Sequence, residues 1–238
     1  MKEVYTGIVI KSIDYGASDR IITILTSDDS FVVFKARGVN KMSSSLMKYT
    51  IPFSISEFEL ESKSEKSNKV LTSASAIYFP SFTSSNIKGI ALSSYISESL
   101  NYFDTFNGLY KFITSLIKSI DEGENESLLF LNYLYFLIKC NGLSLFVDGC
   151  EVCGSKKNIV DVDYSVGGFL CSSHSINRKS NEYIELLYKV SHSKGLYLEA
   201  VDEGTLFNLI KDLIFFFNEN SGMNIRSEKF VLNSLFNM

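Results

Sequence analysis

Three cysteines and one histidine stand in two pairs of similar spacing. Cys150 and Cys153 form a C-x2-C pair, and after 17 intervening residues Cys171 and His174 form a C-x2-H pair. Each pair can fold into a tight turn that offers two ligands to one ion, and three thiolates with one imidazole complete a tetrahedral zinc shell. A complete shell leaves no position for water or substrate, so the spacing predicts a structural zinc. The alternative is a group of buried reduced cysteines beside a surface histidine.

The segment between the two pairs has the pattern of a β-hairpin that would position the ligands. Residues 159–166 alternate between apolar and polar types, Gly167 and Gly168 suit a turn, and residues 169–171 form the return strand. The remaining cysteine, Cys140, belongs to neither pair and lies on a strongly apolar helix pattern, which predicts a buried free thiol.

Positive charge is concentrated near the N-terminus. The net charge of −4 argues weakly against nucleic acid, but an average hides local patches. No acidic residue occurs between Asp29 and Glu57, and four basic residues fall there. These candidates for DNA binding are Lys35, Arg37, Lys41 and Lys48. Arg20 is a more distant candidate, since the neighbouring Asp19 can neutralise it. A merely solvated charged surface is the alternative.

Aromatic residues accompany this basic segment, and each could stack on a base or belong to the core. They are Phe31, Phe34, Tyr49 and Phe53.

The first 80 residues are built of short runs rich in β-branched and aromatic residues, which predict five strands. The expected strands are Val4–Tyr15, Arg20–Thr26, Phe31–Ala36, Tyr49–Leu60 and Val70–Tyr78. Five strands in this length favour a small barrel, and the oligonucleotide-binding (OB) barrel is the commonest solution.

Beyond Pro80, apolar residues recur at three- and four-residue spacing, which predicts helices. These are Ile87–Phe103, Leu109–Ile120, Ser127–Lys139, Asn181–Ser191, Glu203–Asn218 and Ser227–Phe236. The predicted fold class is therefore α+β: an OB domain over residues 1–80 and a helical domain over 81–238, with the zinc hairpin at about 148–176. In the last helix, Phe230 and Leu235 are the expected core contacts.

The sequence offers little for catalysis, membrane insertion or export. No G-x-S-x-G, Walker or H-E-x-x-H motif occurs, and His192, among serines, is expected to be exposed. The acidic group at residues 121–126 has the pattern of a solvated turn. The apolar run at 128–138 is shorter than the roughly 20 residues that span a bilayer, and no signal peptide pattern is present. We expect a cytoplasmic protein that is not an enzyme.

Four segments, in order, resemble the RecO family of recombination mediators. They are the N-terminal GIVIKSIDYGASDRIITILTSDDSFVVFKARGVNKMSSS, then GIALSSYISESLNYF, the pair CEVCG and CSSH, and GMNIRSEKFV. The resemblance implies an OB fold, a helical domain and a zinc module. It also implies binding of single- and double-stranded DNA, strand annealing, contacts with RecR and the single-stranded-DNA-binding protein SSB, and help in loading RecA at the bacterial nucleoid.

One residue departs from the family pattern: His174 stands where zinc-bearing members usually have a fourth cysteine. Two other readings remain open at this stage. One is an OB and zinc protein that acts on RNA or at replication forks, and the other is an architectural protein that holds RecR without touching DNA.

Overall fold

The computed structural model describes residues 1–64, 67–81, 86–102, 106–192 and 201–236. These residues fall into two compact units, one made of Met1–Glu124 with Ile225–Met238 and the other of Asn125–Asn224. The division into domains at residues 80 and 81 stays a prediction. Within the described residues, no helix is both long and apolar enough to cross a membrane.

The N-terminal strands of the first unit close into a five-stranded barrel. The strands are β1 (Lys2–Tyr15), β2 (Asp19–Thr26), β3 (Phe31–Ala36), β4 (Ile55–Glu61) and β5 (Lys69–Tyr78). Their order around the barrel is β1-β2-β3-β5-β4, and β1 closes it by pairing with both β2 and β4. All pairs are antiparallel except β3 with β5. This topology confirms the predicted OB-type barrel.

Alternation along the strands separates the barrel core from its outer surface. On β4, Phe58 and Leu60 are buried, whereas Glu57, Glu59 and Glu61 are exposed. Successive strand residues point to opposite faces, so this pattern places one face in the core. The core also contains Val9, Ile22, Ile24, Phe34, Ala36, Val39 and Leu71.

The predicted fourth strand begins too early. Residues Met47–Thr50 form a 3-10 helix, and β4 starts only at Ile55. Pro52 has no backbone N–H for a strand ladder, and Phe53 has a φ of 65°, which is incompatible with a strand. The Phe53 N–H instead donates to the Val9 carbonyl at 2.7 Å. This contact attaches the loop to β1.

Three helices complete the first unit: α1 (Ile87–Ser99), α2 (Leu109–Asp121) and α6 (Glu228–Phe236). A 3-10 turn, Leu100–Tyr102, follows α1, and the predicted end of that helix at Phe103 lies outside the described residues. At the start of α2, the Asp29 carboxylate accepts hydrogen bonds from the backbone N–H groups of Gly108 at 2.6 Å and Tyr110 at 2.7 Å. A side chain of the barrel therefore caps this helix.

Helix α6 packs on α1 through Val231 and Leu235, both fully buried. The prediction for Leu235 is confirmed, but that for Phe230 is wrong, because this side chain is 39% exposed. Val231 and Leu235 are four residues apart and share a helix face, whereas Phe230 points about 100° away from Val231. The buried face is therefore defined by the pair at i and i+4.

Glu98, near the end of α1, caps the N-terminus of α6. Its carboxylate accepts hydrogen bonds from the backbone N–H groups of Arg226 and Ser227, both at 2.9 Å, and from the Ser227 hydroxyl at 2.7 Å. Two of the segments that resemble the RecO family thus meet at this contact.

The second unit contains helices α3 (Glu126–Cys140), α4 (Asn181–His192) and α5 (Glu203–Ser221), with a two-stranded hairpin of β6 (Ile159–Asp163) and β7 (Gly168–Cys171). Helix α3 is buried along most of its length, which explains its apolar pattern. The prediction of a buried Cys140 is wrong: this residue is the last of the helix and is exposed.

Candidate metal centre and nucleic-acid interface

The predicted zinc ligands meet at one point beside the β6–β7 hairpin. The ligand atoms of Cys150, Cys153, Cys171 and His174 all lie within 4.8 Å of one another. Cys153 Sγ is 3.9 Å from Cys171 Sγ, and His174 Nδ1 is 3.6 Å from Cys150 Sγ. A tetrahedral zinc ion with ordinary bond lengths would separate two sulfurs by about 3.8 Å and a sulfur from a nitrogen by about 3.6 Å. The donor set and its spacing therefore fit zinc.

The surroundings of Cys150 and Cys171 favour thiolates, the form of cysteine that binds zinc. At Cys153, the backbone N–H of Ser155 lowers the pKa, but burial and the hydrogen bonds with the other two sulfurs outweigh it and raise that pKa. Burial alone would raise the pKa of Cys150, but backbone N–H groups, among them those of Cys171 and Cys153, lower that pKa to about 6. The hydrogen bond with His174 lowers the pKa of Cys171. The same contact raises the pKa of the His174 imidazole.

Glycines allow the chain to make the tight turns that carry the ligands. Gly154 has a φ of +71°, and its N–H donates to the Cys150 carbonyl at 2.7 Å, which closes the first turn. A Cβ on Gly168 would lie 2.4 Å from the Phe146 carbonyl oxygen, so no other residue fits there. The Phe169 N–H donates to that carbonyl at 2.9 Å and fixes β7 beside the strand-like residue Phe146.

A partly buried polar network attaches the hairpin to the helices of the second unit. The Tyr164 hydroxyl, next to the hairpin turn, lies 2.6 Å from the Tyr183 hydroxyl on α4, which donates to Asp212 on α5 at 2.7 Å. Lys179 pairs with the same carboxylate at 2.8 Å. Burial raises the pKa of Tyr183 far above its usual value. Sequence reasoning missed this network, since its members are spread over residues 164–212 and show no motif.

The predicted DNA-binding residues divide into two groups. Arg37, Lys41 and Lys48 are exposed, and the described part of the chain offers them no ion-pair partner. Lys35 instead pairs with Asp19 at 2.9 Å, and Arg20 is bound by Asp14 at 3.0 Å. The expectation that Asp19 neutralises Arg20 is therefore wrong.

Two carboxylates hold the basic segment against the β1–β2 turn. The Gly38 N–H donates to Asp19 at 2.8 Å, and the Asn40 side chain donates to Asp14 at 2.8 Å. The hydrogen bond from Gly38, and then that from Lys35, lower the pKa of Asp19 to about 2. We define the basic loop as residues 37–48, and these contacts fix where it begins.

The four candidate aromatic residues differ in how far they are buried. At most 2% of the surface of Phe34 and Phe53 is exposed, so neither ring can stack on a base. The suggestion of a base contact is therefore wrong for both residues. Phe31 and Tyr49 are half-buried, and Tyr49 packs near Phe79 with 5.9 Å between ring centroids. His192 is exposed as predicted, and its Nε2 lies 3.0 Å from Asp148.

A closed OB-type barrel, a basic loop and a Cys3His cluster that could hold a metal ion together define a class of small barrel proteins. A family model described as "Recombination protein O N terminal" matches residues 1–79, and one described as "Recombination protein O C terminal" matches residues 86–186. The chain therefore belongs to the RecO family of DNA repair proteins.

Curated relatives of this chain carry the same description. The DNA repair protein RecO of Exiguobacterium sibiricum is 27% identical, and the alignment covers 98% of this chain and 96% of that protein. The DNA repair protein RecO of Latilactobacillus sakei is 23% identical over 96% of this chain and 88% of its own length. That of Limosilactobacillus fermentum is 21% identical, with 97% and 89% covered.

Proposed function

We propose that this protein is a recombination mediator that binds single- and double-stranded DNA through the basic loop and anneals complementary strands. In this proposal it acts with RecR to help load RecA onto strands coated with SSB, and it has no catalytic activity of its own. The family supports a role in DNA repair, and the free cations of the basic loop support a phosphate contact.

The observation that carries the proposal is the set of exposed cations on the loop after β3. Arg37, Lys41 and Lys48 have no carboxylate partner in the described chain, so their charges remain available to a polyanion. Contacts of this kind neutralise phosphates and release counterions without reading sequence. Annealing needs this property, because two strands of any sequence must be brought together.

The distribution of acidic residues supports the same surface. Glu57, Glu59 and Glu61 are exposed on β4, which is not a neighbour of β3 in the barrel. Phosphates would be repelled there and attracted to the basic loop. The barrel is therefore electrostatically asymmetric although the net charge of the chain is negative.

The metal centre has a structural role in this proposal. Zinc held by Cys150, Cys153, Cys171 and His174 would stabilise the hairpin of the second unit, since four protein ligands complete its shell. RecR and the SSB tail are proposed as partners from the family resemblance, and no residues are assigned to them. The proposed location is the bacterial cytoplasm, at the nucleoid.

The test is a double variant, Arg37→Ala with Lys41→Ala, measured in DNA binding across a range of salt concentrations and without RecR. We expect weaker binding to every sequence, and a slope of log affinity against log salt that falls by about 0.7 per lost contact on single strands. Annealing should fall in parallel. The fold should survive, because exposed loop charges usually change stability by less than about 0.5 kcal/mol.

A matched control removes the same charge elsewhere on the barrel. Lys2 and Lys63 are both exposed, and replacing both by alanine should leave DNA affinity almost unchanged. Equal losses in the two double variants would mean that only the total charge matters. Unchanged binding by the Arg37 and Lys41 variant would show that the basic loop is only a solvated surface. A stronger affinity for RNA than for single-stranded DNA would favour the alternative module that acts on RNA.

A further inference from the structure

The strands β1, β2 and β3 share an outer face that combines apolar, aromatic and cationic side chains. In the register of the sheet, Ile13 lies opposite Ile21, and Ile21 lies opposite Lys35. The neighbouring residues Ile22 and Phe34 are buried, so the alternation of the strands directs Ile21 and Lys35 outward. The same face carries Lys11, Thr23 and Val33 in one row and Tyr15 with Asp19 in another.

Tyr15 is the aromatic residue at the loop end of this face. It is the last residue of β1, beside the β1–β2 turn, and 56% of its surface is exposed. Ile13 and Val33 are 48% and 55% exposed. An exposed ring set among exposed aliphatic side chains is not explained by the barrel core.

A cation is already placed at the Tyr15 ring. The Lys35 ammonium lies 4.5 Å from the ring centroid and is held there by its ion pair with Asp19. Asp19 also holds Gly38 at the start of the basic loop. One carboxylate therefore holds both the cation over the exposed ring and the start of the loop that carries Arg37 and Lys41.

Tyr5, also on β1, has a similar lysine and carboxylate beside its ring, but there the arrangement has a structural role. Tyr5 also has a lysine over its ring, Lys69 at 4.6 Å, with Glu3 as the carboxylate. Its hydroxyl is bonded to both partners, and its ring packs against the barrel core. Among the described residues, the Tyr15 hydroxyl has no such bond, and 56% of the residue's surface is exposed beside the Lys35 ammonium. The packing and hydrogen bonds of Tyr5 are thus missing at Tyr15.

We infer that Tyr15 is a base-stacking platform and that the outer face of β1–β3 is the path of single-stranded DNA. This inference rests on the proposed DNA-binding function and gives it a second contact. Phosphates would meet the basic loop, while an unstacked base would lie on the Tyr15 ring and the apolar residues beside it. Stacking on aromatic rings is tolerant of sequence, and the face formed by the second and third strands of OB barrels commonly binds oligonucleotides.

The two contacts would have different strand preferences. Phosphates are present on single and double strands, so the basic loop serves both. A base inside a duplex is already stacked on its neighbours and does not offer a free face to Tyr15. The ring therefore contributes to binding of single strands alone and gives the protein a preference for them.

The sequence allows a direct optical test, because the chain contains no tryptophan. Tyr15→Trp would be the sole tryptophan and would report stacking as quenching of indole fluorescence. Val4→Trp is the matched control: Val4 lies on the same strand and is 59% exposed, but it stands opposite Glu59. Adding a mixed-sequence single-stranded oligonucleotide should quench Tyr15→Trp to saturation and leave Val4→Trp almost unchanged. A duplex of the same sequence should quench neither.

Affinity measurements separate stacking from charge. Tyr15→Ala should weaken single-strand binding about 5- to 100-fold, as expected for loss of one stacked base, while duplex binding changes by less than about 2-fold. Tyr15→Phe keeps the ring and should retain single-strand affinity. Circular dichroism would verify that each variant is folded, and quenching of Tyr15→Trp tests the idea even if the Ala variant does not fold.

The outcomes distinguish this inference from the proposed function. If the wild-type chain binds DNA and the basic-loop variant weakens it, but Tyr15→Trp is not quenched, the stacking platform is refuted and the phosphate contact remains. Equal losses by Tyr15→Ala on single strands and duplex would also overturn it. If the wild-type chain binds no DNA, both proposals fail.

Discussion

The contact between Glu98 and the start of α6 gives a quantitative prediction about stability. Replacing Glu98 by alanine removes three hydrogen bonds, from the N–H groups of Arg226 and Ser227 and from the Ser227 hydroxyl. It also removes a negative charge from a helix N-terminus, where the helix dipole favours it. The orphaned groups lie where α6 packs on α1, so the change acts on the first unit.

The expected cost follows from the burial of the carboxylate. A hydrogen bond to a charged group contributes about 1.5–3 kcal/mol, and a helix cap about 0.5–2 kcal/mol. Glu98 is half-buried, so water replaces part of the interaction, and we expect Glu98→Ala to cost about 2–3 kcal/mol. For a chain of this length, that lowers Tm by about 4–12 °C. Glu98→Gln keeps a neutral acceptor and should lose about half as much.

The same contact predicts a pH dependence. Burial alone would raise the pKa of Glu98, but the N–H groups of Arg226 and Ser227 outweigh it and hold the pKa below its usual value. A carboxyl group whose pKa is lower in the folded state stabilises the fold above its unfolded pKa of about 4.5. That stabilisation is lost as the pH falls through the folded pKa. Glu98→Gln should therefore remove part of the stability loss seen below pH about 4.5.

Thermal and urea unfolding, followed by circular dichroism between neutral and acidic pH, would measure both effects. Glu57→Ala and Glu57→Gln are the controls, since Glu57 is exposed on β4 and its side chain makes no hydrogen bond within the described residues. If Glu98→Ala unfolds at the same temperature as Glu57→Ala, the cap contributes nothing and the reasoning is refuted.

Two further predictions concern the metal centre and the C-terminus. Protein purified without chelator should contain about one zinc per chain. Cys150→Ser or Cys171→Ser should lose the metal and lower the stability of the second unit. Metal-free protein, together with unaltered stability in both variants, would contradict this prediction. Truncation before Arg226 should reduce solubility and thermal stability, because it removes Val231 and Leu235 and uncovers the surface of α1. A soluble truncated chain with the same Tm as the full chain would count against this prediction.

Most helices and strands could be predicted from the sequence because the patterns that define them involve residues close in sequence. The strand alternation of β1 to β3, the helix spacing after Pro80 and the paired Cys motif each depend on residues close in sequence. The early start assigned to the fourth strand shows the limit. Tyr49 to Ile51 and Phe53 are suitable strand residues by type, although Pro52 is not, and the hydrogen bond from Phe53 to Val9 on another strand selects a turn. Tertiary contact overrode propensity there.

Residue type alone could not separate aromatics that fill the core from those that face solvent. Phe34 and Tyr15 both lie on strands beside basic residues, yet Phe34 is buried and Tyr15 is exposed. The distinction depends on which strand face each occupies once the barrel closes. The pairing of Arg20 with Asp14, and of Lys35 with Asp19, likewise depends on strand register. Asp19 is adjacent to Arg20 in sequence but is not its ion-pair partner, because neighbouring residues on a strand point to opposite faces.

The discontinuity of the first compact unit has a consequence for the order of folding during synthesis. Its final helix, α6, is separated from the barrel and α1 by the whole segment Asn125–Asn224. The ribosome therefore releases α1 long before its packing partner is synthesised. The apolar surface of α1 that Val231 and Leu235 cover stays exposed while the second unit is translated. At about 5–20 residues per second, that interval lasts on the order of 5–20 seconds, during which the nascent chain presents a binding surface for chaperones.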